Sequence, residues 1–163
     1  MSETPPSEPI EQLPSFLTAV EHCGDTCAEM NRQLHFLIVD DTEDMRELMV
    51  RLVERAGHLA DEAADGVEAT VALSAHRYDV MLLDLSMPRM SGEDVVRWLR
   101  AHPDRAEGMR TVVVSAWAGE RRGTLQELGV TEILTKPFRR QHLTALIAEC
   151  MSEAGDQRDR HVP

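Results

Sequence analysis

The sequence predicts an α/β fold: a single doubly wound sheet of five parallel strands with helices on both faces. Three observations predict it. Five short apolar runs alternate with five helical stretches along most of the 163 residues, the rhythm of right-handed βα crossovers. The central run, Val80-Met81-Leu82-Leu83, is apolar without interruption, as in a strand covered on both faces. Finally, strand ends carry Asp40-Asp41, Asp84, Ser115 and Lys136. Parallel strands bring their carboxyl ends to one rim, where open α/β sheets bind ligands.

Taken in order, the chain begins with an N-terminal extension, residues 1–33. Pro5, Pro6, Pro9 and Pro14 lie among Ser, Thr and Glu, a composition that predicts a disordered tail over 1–14. Ser15 then precedes Phe16, Val20, Cys23, Cys27, Met30 and Leu34, a heptad seam that predicts an amphipathic helix over 15–33, interrupted by Gly24. The seam is too short to argue for a coiled coil. It reads as a helix docked on its own domain or without fixed contacts, with a dimerisation or partner helix as the alternative. Cys23 and Cys27 beside His22 lack an evident fourth metal ligand and read as small packing residues.

The first strand spans 34–39 and leads into Asp40 and Asp41. Thr42 is placed to cap a helix over 43–56, whose Met45, Leu48, Met49, Leu52 and Val53 share one face before Gly57 ends it. A second strand covers 58–63, Asp65-Gly66 makes a turn, and a short helix runs to Ala75. After the central strand and Asp84 comes a loop, 85–92, then a helix over 93–101 burying Val95, Val96 and Leu99. The fourth strand, 110–114, ends at Ser115. A helix over 120–128, a fifth strand over 132–134 and a helix over 139–151 complete a domain of 34–152, followed by a polar tail, 153–163.

Charge and composition narrow the function. A net charge of −12 and a pI near 4.9 disfavour direct nucleic-acid binding, which rests on Lys and Arg. The extension repeats this, with Glu3, Glu8, Glu11, Glu21, Asp25 and Glu29 against Arg32 alone. No apolar stretch approaches the roughly 20 residues of a membrane span, and the N-terminus lacks the features of a secretory signal. Three cysteines do not make a disulfide framework. The expectation is a cytoplasmic protein without membrane insertion.

At the rim, three neighbouring carboxylates resist ionising together unless a cation neutralises them. A hard divalent ion such as Mg²⁺ meets that need with oxygen ligands and leaves room for a phosphate. The acidic pair Asp40-Asp41, the run Leu83-Asp84-Leu-Ser-Met-Pro-Arg-Met-Ser-Gly92, Ser115-Ala116, and Leu134-Thr-Lys-Pro-Phe138, in this order and at these separations, resemble the receiver domain of bacterial response regulators. The resemblance covers about 33–151 and implies a flavodoxin-like (βα)5 receiver fold acting alone.

The resemblance implies roles. Asp84 is the phosphoacceptor, taking a phosphoryl group from the phosphohistidine of a histidine kinase or phosphotransfer protein. Asp41 and Asp84 bind Mg²⁺ directly with the backbone carbonyl of Ser86, and Asp40 holds it through water. Lys136 neutralises a phosphoryl oxygen, Ser115 is the hydroxyl switch, and Lys136-Pro137 is cis. The protein is then no enzyme beyond Mg²⁺-dependent self-phosphorylation and autodephosphorylation. It signals by changing its affinity for a separate downstream effector protein; a homodimer is compatible with this.

Two departures from the family pattern bear on the readout. Ile133 stands where an aromatic residue usually follows the switch hydroxyl. Ser86 and Trp117 flank the path of hydrolytic water, Trp117 bulky and Ser86 unable to orient water well, which predicts a long-lived phosphoryl group unless Trp117 serves only partner contact. The alternative function is a receiver-like interaction module that is never phosphorylated. A phosphatase with an Asp nucleophile would need a second acid where Ser86 stands. His22, His35, His58, His76, His102, His142 and His161 show no ligand spacing and read as surface or strand-edge residues. Arg121-Arg122 and Arg139-Arg140 read as solvated helix-end charges, with an acidic partner as the alternative.

Overall fold

The computed structural model describes residues 33–116, 122–130 and 132–156, without the side chains of 151–156. The N-terminal tail and helix, Trp117, Arg121 and the last seven residues lie outside the described residues.

Strands β1 (His35–Val39), β2 (Leu59–Ala63), β3 (Val80–Leu83), β4 (Arg110–Ser115) and β5 (Glu132–Thr135) form one sheet in the order β2-β1-β3-β4-β5. Every pairing is parallel; Ile38 stands beside Leu82 and Leu82 beside Val112. The period of two sorts each central strand to both faces. Phe36, Ile38, Val80, Leu82, Val112 and Val114 pack with Met49 and Val53 of α1 (Glu43–Arg55) and Leu143, Ile147 and Cys150 of α6 (Arg140–Asp156). Leu37, Val39, Met81, Leu83 and Val113 face the other way, onto Ala69 and Leu73 of α2 (Gly66–Ala75), Val95, Val96 and Leu99 of α3 (Gly92–Ala101), and Leu125 of α5 (Arg122–Glu127). A fully buried side chain of this kind contributes about 1.5–3 kcal/mol, so these two layers hold the rim in place.

Several details differ from the sequence expectation. There are six described helices, because Pro103 starts an additional turn, α4 (Pro103–Ala106), between α3 and β4. Among the described residues α5 ends at Glu127, one residue before expected, and α6 extends past Met151 to Asp156. Ser115 is the last residue of β4 and does not follow it. Thr42 occupies the N-cap of α1 without a side-chain cap bond; its hydroxyl lies 3.4 Å from Asp41 Oδ1 instead. Asp65 is the true side-chain cap, accepting from the N–H groups of Val67 at 2.8 Å and Glu68 at 3.0 Å to start α2. His58 is buried, not superficial: its ring stacks on Phe36 at 5.7 Å and its Nδ1 accepts from Leu34 N–H.

Candidate functional site

The backbone places the rim acids. Asp84 N–H donates to the Val39 carbonyl at 2.9 Å and Asp40 N–H to the Ala63 carbonyl at 3.2 Å, so each acid prolongs its strand by one ladder bond. Asp40 is wholly buried. Its Oδ1 accepts from Thr42 N–H at 2.9 Å, its Oδ2 accepts from Lys136 Nζ at 2.6 Å, and its carbonyl accepts from Arg46 at 2.9 Å. Asp84 is also buried, with Oδ1 accepting from Leu85 N–H at 2.9 Å and lying 3.5 Å from Lys136 Nζ. Asp41 is exposed. Buried Ser115 reaches the same edge, its carbonyl accepting from Lys136 N–H at 3.0 Å, and the Lys136-Pro137 peptide is cis.

One carboxylate oxygen from each of Asp40, Asp41 and Asp84 lies within 4.8 Å of the others. Burial is the main cause that pushes the Asp84 carboxyl above its ordinary value; Lys136 opposes the rise, Asp40 adds to it, and the Leu85 and Ser86 N–H groups again oppose it. One ammonium thus faces three acids, and Lys136 is closer to Asp40 than to Asp84. The uncompensated charge and the all-oxygen donor set fit a hard divalent cation. Asp40, Asp41 and Asp84 are the side chains that would hold it, and its chemistry there would be to neutralise oxygen charge.

The structure therefore brings together Asp40, Asp41, Asp84, Ser115 and Lys136. Ser86 is exposed at the start of the β3–α3 loop, where its backbone N–H favours the charged form of the Asp84 carboxyl. Ile133 lies inside β5 beside Val113 and packs against the core layer that includes Val113 and Leu125. Trp117 is outside the described residues. Sequence reasoning missed two features beside the site. Gly92 is packed so tightly on the Asp84 carbonyl that a Cβ there would lie 2.2 Å from the oxygen. Arg89, in the same loop, has φ 64 and pairs with the buried Asp65. An Asp-Gly dipeptide opening an apolar helix was the available signal for the Asp65 cap.

A family model described as the response regulator receiver domain matches residues 36–148. The chain belongs to the response-regulator receiver family. This receiver is 32% identical over 121 residues to the sensory transduction protein RegX3 of Mycobacterium tuberculosis, covering 74% of this chain and 52% of that one. It is 30% identical over 119 residues to the transcriptional regulatory protein GltR of Pseudomonas aeruginosa, covering 72% and 49%. The chain thus spans about half the length of these curated relatives. Among solved structures, the chemotaxis response regulator CheY4 of Vibrio cholerae superposes with a TM-score of 0.67 at 26% identity, covering 73% of this chain and 99% of that one. The receiver's strand order, 2-1-3-4-5, puts Asp84 where the order reverses next to β1. Among the described residues, no helix is long and apolar enough to cross a membrane.

Proposed function

We propose that this receiver is a Mg²⁺-dependent phosphoacceptor in which Asp84 takes a phosphoryl group from a phosphohistidine. The observation that carries the reading is the convergence at Asp84: a buried carboxylate, held by the Leu85 N–H, with Asp40, Asp41 and Lys136 around it. An Asp84 Oδ attacks phosphorus, the P–N bond to the donor imidazole breaks, and the imidazole leaves with the electron pair and takes a proton from solvent. Lys136 is within reach to balance a phosphoryl oxygen, and a cation held by Asp40, Asp41 and Asp84 would supply the remaining charge neutralisation. Phosphoryl transfer asks the protein mainly for this positioning and electrostatics, so the rim needs no further nucleophile or base.

Modification at Asp84 alters the rim that Ser115 and Lys136 share, and with it the affinity for a downstream effector. The protein is then a signalling switch and not an enzyme acting on other molecules. Its donor is a histidine kinase or histidine phosphotransfer protein. Incubation with phosphoramidate and Mg²⁺, followed by intact mass, tests the reading. The expected outcome is a gain of one phosphoryl group that requires Mg²⁺ and is lost in Asp84→Asn. Absence of label in a folded wild-type protein overturns it.

A further inference from the structure

The loop that follows Asp84 is gripped from two sides. On the inner side, Gly92 packs against the Asp84 carbonyl and Gly92 N–H donates to the Leu85 carbonyl at 3.1 Å. On the outer side, the loop meets the start of α2. A Cβ on Gly66 would lie 2.6 Å from the Met90 carbonyl oxygen and 2.8 Å from Met90 Cγ, so the helix terminus and the loop backbone are in direct contact. At that contact stands Arg89. It is the one described non-glycine residue with positive φ, at 64°, a conformation that L side chains adopt at a cost unless neighbours hold it.

Its guanidinium contacts Asp65 Oδ2 and lies 3.4 Å from Glu68 Oε1. Asp65 is almost wholly buried, and its Oδ1 is occupied in capping α2. Oδ2 is also buried, and among the described residues the Arg89 guanidinium is the positive charge recorded against it, so Arg89 is what compensates it. An arginine that is itself 59% exposed is thus tied to a carboxylate that is 1% exposed. Nothing in the phosphoacceptor chemistry uses this pair. Yet the loop it restrains carries the Leu85 N–H that holds the Asp84 carboxylate.

We propose that Arg89 is a positioning residue for phosphorylation: paired with Asp65, it clamps the β3–α3 loop to the start of α2 and so keeps the Leu85 N–H on the Asp84 carboxylate. Arg89 touches neither phosphoryl donor nor cation. Its effect passes through the loop backbone, where a small displacement of a reacting group is costly. The inference rests on Asp84 being the phosphoacceptor.

The test is the phosphoramidate labelling rate at limiting Mg²⁺ in the full chain, for Arg89→Ala, Arg89→Gly, Arg89→Lys, Asp65→Asn and Arg89→Ala/Asp65→Asn. Asp65→Asn keeps the cap acceptor and removes the charge. Arg89→Gly accepts the positive φ and removes the charge. The expected result is a roughly tenfold slower rate in Arg89→Ala, Arg89→Gly and Asp65→Asn, no further loss in the double variant, and recovery in Arg89→Lys. Rates in Arg89→Ala and Arg89→Gly equal to wild type overturn the clamp, as does recovery in Arg89→Gly alone, which would assign the effect to the backbone. Hydrogen exchange of the Leu85 amide in unphosphorylated protein keeps the two readings apart. Faster exchange in Arg89→Ala is expected whether or not Asp84 is labelled, and unchanged exchange overturns the clamp even where the wild type labels normally.

Discussion

The carboxyl rim and the β2 edge each hold acids among hydrogen-bonding neighbours, but their charges are handled differently. At the rim, buried Asp40 and Asp84 share one ammonium, that of Lys136, with Asp41 alongside. At the β2 edge each acid has its own partners. Asp61 Oδ2 accepts from Tyr78 Oη at 2.7 Å and lies 3.2 Å from His35 Nε2, while Glu62 pairs with Arg46 at 3.4 Å. Burial, followed by the hydrogen bond and charge of Asp61, drives the Tyr78 phenol well above its ordinary range, so it stays a neutral donor. The β2 acids are half-exposed or exposed, and each has a donor or cation of its own. The rim acids are left with excess charge, which is what the proposed cation and phosphoryl site requires.

The largest effect expected from breaking this contrast is at Lys136. In metal-free buffer, Lys136→Ala leaves buried Asp40 without its cation and costs about 3 kcal/mol in urea unfolding. A loss below about 1 kcal/mol would mean the rim charge is already relaxed by solvent. Next, Asp84→Asn, which removes an acid whose ionisation burial opposes, is more stable than wild type by about 1 kcal/mol or more in the same buffer. The sign with pH follows from the raised carboxyl. The native state holds its proton longer than the unfolded chain does, so the wild type loses stability relative to Asp84→Asn as pH rises from about 3.8 through the folded value. A gap that narrows with rising pH contradicts this.

Tyr78→Phe probes the opposite region and removes one hydrogen bond to Asp61, at an expected cost of about 1 kcal/mol in thermal unfolding. A cost comparable to that of Lys136→Ala would erase the distinction between the regions. The smallest effect is at His58, just before β2, where burial lowers the imidazole pKa. Here the unfolded chain binds the proton first. Stability is therefore complete above pH 6.5 and falls as pH drops from there through the folded value. Subtracting the stability curve of His58→Gln isolates the term: the difference is flat above pH 6.5 and declines below it, opposite in sign to the Asp84 difference. A flat curve throughout removes the buried imidazole from the account.

Much of this was determined by the sequence itself, wherever the physics is local or periodic. An unbroken apolar run such as Val80–Leu83 can be satisfied only by cover on both faces, and the polar residue at its end then has to emerge at the rim. The period of two assigns Phe36 and Leu37 to opposite layers without knowledge of their partners. Five polar groups at the strand ends follow from topology alone, because parallel strands share a direction. What the tertiary structure decided are the pairings between residues far apart in the chain. Lys136 lies nearer Asp40 than Asp84; His58 disappears beneath Phe36; Asp65, which by its dipeptide is only a turn, becomes a buried cap joined to Arg89. Such choices turn on desolvation and on which buried charge meets which partner, and these quantities exist only once the layers have closed.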